Sequence, residues 1–371
     1  MDSFPLVDPI PLPAPVWLFK VLQSTTLALH FTAVHLMVGG LFLATWWAIR
    51  GRRGGDGRLT TASGEIAHLL PVVVAYVINL GIPPLLFAQV LYGRALYTSS
   101  ILIGVFWIMV IFMLIAAYFI MYQMAKRADT GQAYGWLGVI ALLLVLKIGF
   151  VYTNNMTLML RPDAWVEMYR SSPTGAHLAP GDPTIIPRWL YMMLGSVGMA
   201  GIGLMLLGLK PGIETAAAAF LRSRGGMLLA FFTLVQMVLA AGVYHAQPEA
   251  VRAGLWASLF YRGVFGAWFL VALALVALGV FGAVTAARRA WLPATLAGAA
   301  GFVNIVLWVL FRDGIRDVTL GLHGYDVWAR NVNTNWSIVI LFLVLFVAAV
   351  GLTGWMAMVT FRAKGADEQH A

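Results

Sequence analysis

The sequence predicts an all-α fold: a polytopic membrane helical bundle of about nine transmembrane helices, with the N-terminus outside and the C-terminus cytoplasmic. Three observations predict it. Of 371 residues, 61% are hydrophobic and only 11% are charged, where a soluble domain carries roughly a quarter charged. The mean hydropathy is +0.85. The apolar residues are gathered into runs of about 20 or more, the length that crosses a hydrocarbon core. The chain divides into an extracytoplasmic N-terminal segment (1–15), a single transmembrane bundle (16–361) and a cytoplasmic tail (362–371).

The runs lie at 16–49, 66–92, 99–123, 135–154, 187–209, 226–246, 263–286, 290–311 and 336–361. Before the first, Met1–Pro15 holds Asp2, Asp8 and five prolines but no basic residue. It lacks the positive n-region of a cleaved signal peptide and is expected to be retained. In the second run Pro83 and Pro84 remove backbone hydrogen bonds at membrane depth, which predicts a kink. The fifth carries Gly195, Gly198, Gly201 and Gly203, a face on which a neighbouring helix can approach closely. The connections around Arg50–Arg58, Lys126–Arg127, Lys210–Arg224 and Arg288–Arg289, with the tail Arg362–Lys364, are short and basic. On the other side the basic residues are spread over longer loops, so the positive-inside rule places the basic connections in the cytoplasm. The expected location is the bacterial inner (cytoplasmic) membrane, as a multi-pass protein.

Composition also excludes. The formal charge is +9, but its Lys and Arg are scattered singly, so the partner they imply is the lipid bilayer and not nucleic acid. The absence of cysteine rules out covalent c-type haem, Cys-ligated iron–sulfur clusters and thiol catalysis within the chain, so any redox cofactor is held non-covalently. All 15 acidic residues read as lying in loops, tails or span ends. That counts against proton pumps and cation-coupled transporters, which need an intramembrane carboxylate. No internal repeat supports an inverted-repeat transporter.

The polar residues left at depth are His30 and His35 in the first span, His68 near the cytoplasmic end of the second, and Lys147 in the fourth. A buried imidazole can ligate haem iron or donate to a quinone carbonyl; equally, it can serve as an interhelical hydrogen bond. His30 and His35 are five residues apart, about 140° around a helix, so they cannot face one cofactor together. Lys147 is neutral, carbonyl-paired or snorkelling, or it neutralises a cofactor propionate. The run FRDGIRD, with Arg312 and Arg316, is denser in charge than a loop needs; it can pair internally, bind propionates or dock a partner. The tryptophans of the outer face read as an aromatic belt.

Four segments together carry a family resemblance: LALHFTAVHLMVGG, INLGIPPLLFAQVLYGRALYTSSILIG, FVYTNNMTLMLRPDAW and PRWLYMMLGSVGMAGIGLMLLG. They resemble the haem-bearing large subunit (subunit I) of the cytochrome bd ubiquinol oxidases as far as Lys210; beyond it the likeness is one of span count. The resemblance implies a nine-helix fold with haem b and quinone as cofactors. His30 matches the first-span haem-ligating histidine, since both precede a glycine at the same offset, here Gly39. The family's fifth-span haem histidine falls near Met192 or Met193, and methionine can ligate haem. The third span lacks the family's two glutamates, and only Gln247–Tyr261 stands where the family has a large quinol-binding loop. These departures imply a chain that is not a competent terminal oxidase by itself.

The expectation is an integral membrane electron-transfer subunit of a respiratory complex, a quinol-linked oxidoreductase component binding haem b and/or quinol. His30 is the metal ligand; His35, His68, Met193, Lys147, Arg312 and Arg316 are further cofactor-binding candidates. The partners are other membrane subunits and an extracytoplasmic c-type cytochrome. The alternative is a haem-free membrane anchor or scaffold for a peripheral redox partner.

Overall fold

Helices account for nearly all of the chain in the computed structural model, which describes residues 10–179, 181–210, 213–286 and 291–362. In order they are α1 (Val16–Gly54), α2 (Gly57–Leu102), α3 (Gly104–Asp129), α4 (Gly135–Leu158), α5 (Pro162–Ser171), α6 (Ile185–Leu207), α7 (Thr215–His245), α8 (Glu249–Ala257), α9 (Leu259–Val284), α10 (Trp291–Leu322) and α11 (Trp336–Arg362). Among the described residues, nine are long and apolar enough to cross a membrane, and they stand where the nine apolar runs predict them. The short α5 and α8 occupy the connections α4–α6 and α7–α9. The N-terminal residues 1–9, the tail 363–371 and the basic pair Arg288–Arg289 lie outside the described residues.

α1 is the central element, packing against α2, α4, α6 and α10. Lipid offers helices no hydrophobic reason to associate, so close backbone approach supplies the contact energy. A Cβ at Gly39 of α1 would sit 2.0 Å from the Ser196 carbonyl oxygen of α6, and one at Gly201 would sit 2.5 Å from the Gly225 carbonyl oxygen of α7. The glycine face predicted in the fifth run is therefore a crossing face toward α7, with α1 seated beside it. At the periphery, α11 leans on α1 and α2 through Val339 and Phe342, which meet Leu18, Leu22 and Phe87. A backbone bridge from Leu12 to the segment before α11 ties the two ends of the bundle together, with Leu12 N–H donating to the Asn331 carbonyl at 2.8 Å.

Two elements differ from the sequence reading. α2 continues through Pro83 and Pro84, and its non-helical residue is instead Tyr92 (φ −128°, ψ 25°). Proline fixes φ near a helical value and removes only an N–H, so the pair costs hydrogen bonds without forcing a break. α10 does not stop at residue 311 but carries FRDGIRD as its last turns, to Leu322. Gly314 lies against the Tyr261 ring, 2.6 Å from where its Cβ would be, so α9 supports the one weak helix former in that run. As a result Asn304, Trp308, Arg312 and Arg316, spaced by four, share one face of α10.

Candidate functional site

α1 and α10 run antiparallel, and the faces they turn to each other build the site. Near the start of α1, Lys20 is buried, and its Nζ lies 2.8 Å from Asp313 Oδ2 and 2.6 Å from both oxygens of Asp317. Lys20 also donates to the Tyr92 hydroxyl, which in turn donates to Asp317 Oδ1 at 2.6 Å. Arg316 donates to Asp313 Oδ1 at 3.2 Å and lies 4.7 Å over the Tyr92 ring. The break in α2 at Tyr92 falls at the residue whose hydroxyl joins this cluster. Ions this far from water persist only when each is paired and hydrogen-bonded, and these four ions and the Tyr92 hydroxyl satisfy one another across three helices.

Beside them stand two arginines that, among the described residues, have no carboxylate within ion-pair distance. Arg188, near the start of α6, donates to Thr157 Oγ1 at 3.3 Å and to Gln247 Oε1 at 3.1 Å. Arg312 lies 5.9 Å over the Phe31 ring of α1. Each is close enough to the other, and to Arg316, for their charges to repel. In the α4–α6 connection Arg161 reaches Asp163 at 2.8 Å and Asp182 at 2.9 Å. The hydrogen bond from Arg161 holds the Asp163 carboxyl below the usual range, with its burial opposing. For Asp182 burial pushes upward, but the Thr184 hydroxyl and N–H together with Arg161 prevail and hold it low.

Deeper along the same faces, aromatic rings fill the seam. Phe31 and Trp308 have centroids 5.0 Å apart, and Tyr191 and Trp308 5.3 Å. Beyond them lies a cavity of about 30 Å³ walled in part by His35, Tyr191, Thr233, Gln236, Asn304 and Trp308. His35 is buried and its Nδ1 donates to the Phe31 carbonyl at 2.6 Å, a tautomer assigned from that bond. Asn304 Oδ1 is buried with no partner. A space of that size accommodates roughly two water molecules; a porphyrin does not fit in it.

The remaining sequence candidates are dispersed. His30 faces α2: its Nδ1 is 3.1 Å from the Val77 carbonyl oxygen, and its ring lies against Gly81, where a Cβ would be 2.9 Å from Cε1. The two histidines thus serve different neighbours, as their angular separation requires. Met193 is buried, its thioether packed on Gly149 of α4. Lys147 places its Nζ over the Phe106 and Phe150 rings, at 5.7 and 5.8 Å, the geometry of a cation–π contact. His68, toward the cytoplasmic end of α2 as expected from the sequence, is 42% exposed, with Nε2 3.2 Å from Asp129. Among the described residues no group of three or more metal-ligating side chains converges. The sequence reading missed Lys20, Tyr92 and the pairing of Asp313 and Asp317, which it placed among loops, tails and span ends. The available signal was a lone lysine only five residues inside the first helix, which had to find an acid elsewhere.

No family model and no curated protein matches the chain. Among solved structures, it is similar to a chain of the bd oxidase from Geobacillus thermodenitrificans, with a TM-score of 0.63 and 11% identity, over 95% of this chain and 99% of that one. At this identity the likeness is one of fold, and its coverage extends into the residues after Lys210, where the sequence matched only in span count. The protein is a multi-pass membrane protein whose described residues form a helical bundle with the fold of that bd oxidase chain.

Proposed function

We propose that this chain is a membrane electron-transfer subunit of a respiratory-type complex that holds haem b through His30, with the start of α1 on the outer side of the bacterial inner membrane. The observation that carries this is the hydrogen bond from His30 Nδ1–H to the Val77 carbonyl. Iron-ligating histidines commonly donate one ring N–H to a carbonyl, which fixes the tautomer and leaves the other nitrogen's lone pair for the metal. Here that leaves Nε2. Gly81 gives the ring room against the α2 backbone, so the imidazole is oriented by main chain rather than by a mobile side chain. When bound, haem b supplies a one-electron Fe(II)/Fe(III) couple. Quinol as donor follows from the family resemblance, and the acceptor expected from the sequence is an extracytoplasmic c-type cytochrome.

The test is a pyridine haemochrome spectrum of the purified chain. One haem b per chain is expected in the wild type and none in His30→Gln, whose amide can still donate to Val77 but does not ligate iron. A second reading, a haem-free anchor for a peripheral redox partner, is favoured by the ring packing of Phe31, Tyr191 and Trp308 that fills the α1–α6–α10 seam. It predicts a colourless wild type that still recruits its partner.

A further inference from the structure

The charges around α10 do not balance. Lys20, Arg188, Arg312 and Arg316 bring four cations together, and Lys20 and Arg316 already engage the two carboxylates, Asp313 and Asp317. Asp182 attracts Arg188 from the neighbouring connection, but it is itself bound by Arg161. Arg188 hydrogen-bonds two neutral acceptors, and Arg312 lies over a phenyl ring and is attracted by Asp313, a carboxylate already shared by Lys20 and Arg316. Arg312 is half-buried. Three guanidinium groups of like charge held within mutual repulsion, in a region screened from water, cost free energy unless an anion joins them.

We infer that Arg188, Arg312 and Arg316 form a binding site for a phosphate-class oxyanion of up to two negative charges. Guanidinium forks suit this chemistry because their paired N–H donors match the oxygen spacing of phosphate. The Thr157 hydroxyl and the Gln247 amide, already on Arg188, hold one fork in place, and the Phe31 face supports the other. The source is either inorganic phosphate or the phosphate of an anionic lipid headgroup. The inference does not rest on haem binding at His30, which faces α2.

The test uses full-length protein purified in phosphate-free buffer and reconstituted in phosphatidylcholine nanodiscs. Thermal unfolding is followed against inorganic phosphate at constant ionic strength, and separately against increasing phosphatidylglycerol. The wild type is expected to gain stability saturably with one of the two: free phosphate identifies a soluble ligand, and phosphatidylglycerol alone identifies a headgroup. Arg312→Gln and Arg188→Gln are expected to bind at least about tenfold more weakly, the worth of one charge-assisted fork. Arg312→Gln is also expected to be more stable than the wild type without ligand, because it removes like-charge repulsion. A purely structural arginine would lower ligand-free stability instead. A wild type indifferent to both probes, or variants that respond as the wild type does, would overturn the inference. So would a phosphate response present in haem-free protein and abolished by haem, which would assign the site to the cofactor's carboxylates.

Discussion

Lys20→Met isolates the charge network that joins α1, α2 and α10. Methionine keeps most of the apolar stem and deletes the ammonium, leaving Asp313 with Arg316 and Asp317 with the Tyr92 hydroxyl. At the observed separations of 2.6–2.8 Å, each Lys20 contact amounts to about 6 kcal/mol at an effective dielectric constant near 20, before desolvation is subtracted. What survives that subtraction when one partner of a buried pair is removed is roughly 3–5 kcal/mol. Unfolding free energies measured by steric trapping in bicelles at neutral pH should fall by that amount. Asp317→Asn added to Lys20→Met should recover at least about 1 kcal/mol, since it removes the carboxylate left without a cation. A Lys20→Met protein within about 1 kcal/mol of wild type, or a second substitution that restores nothing, would refute the reasoning that these charges hold one another.

Gly39→Ala should displace α1 from α6, because its Cβ would meet the Ser196 carbonyl at 2.0 Å; a loss of about 1–3 kcal/mol is expected from overpacking, read by the same steric trapping. Asn304→Leu should be tolerated or stabilising, since it removes a buried unpaired oxygen and fills the cavity beside His35, and a fall in melting temperature would show that a hydrogen-bond donor occupies that space. The α4–α6 connection should be acid-sensitive. Asp163 and Asp182 have carboxyls held low in the folded state, so their contribution is present above the unfolded carboxylate range near pH 4 and is lost as pH falls through the folded values. Arg161→Gln should move the acid-induced rise in amide exchange of this connection to higher pH; an unchanged midpoint would contradict the assignment.

How much was legible in the sequence depends on the range of the signal. Nine spans could be read because each is a local run of apolar residues, and the glycine face of α6 because its spacing alone marks a close crossing. The helical continuation of α10 through FRDGIRD was hidden, since charges that look like a loop are paid for by Lys20, 293 and 297 residues away. The angle between His30 and His35 was available from helical geometry, yet which neighbour each faces was not. Pro83 and Pro84 suggested a kink, whereas α2 departs from helical angles at Tyr92, a position no local preference marks. His68 looked buried because it sits in an apolar run; the run extends past the bundle's packed interior, and Asp129 meets it at the surface.

The haem content of the purified full-length chain, wild type beside His30→Gln, tests the account's central claim most directly. The account predicts a Soret band and one haem b per chain in the wild type, absent from a variant that retains its fold and membrane insertion. A colourless, fully folded wild type, or a variant that keeps its full haem complement, would contradict it.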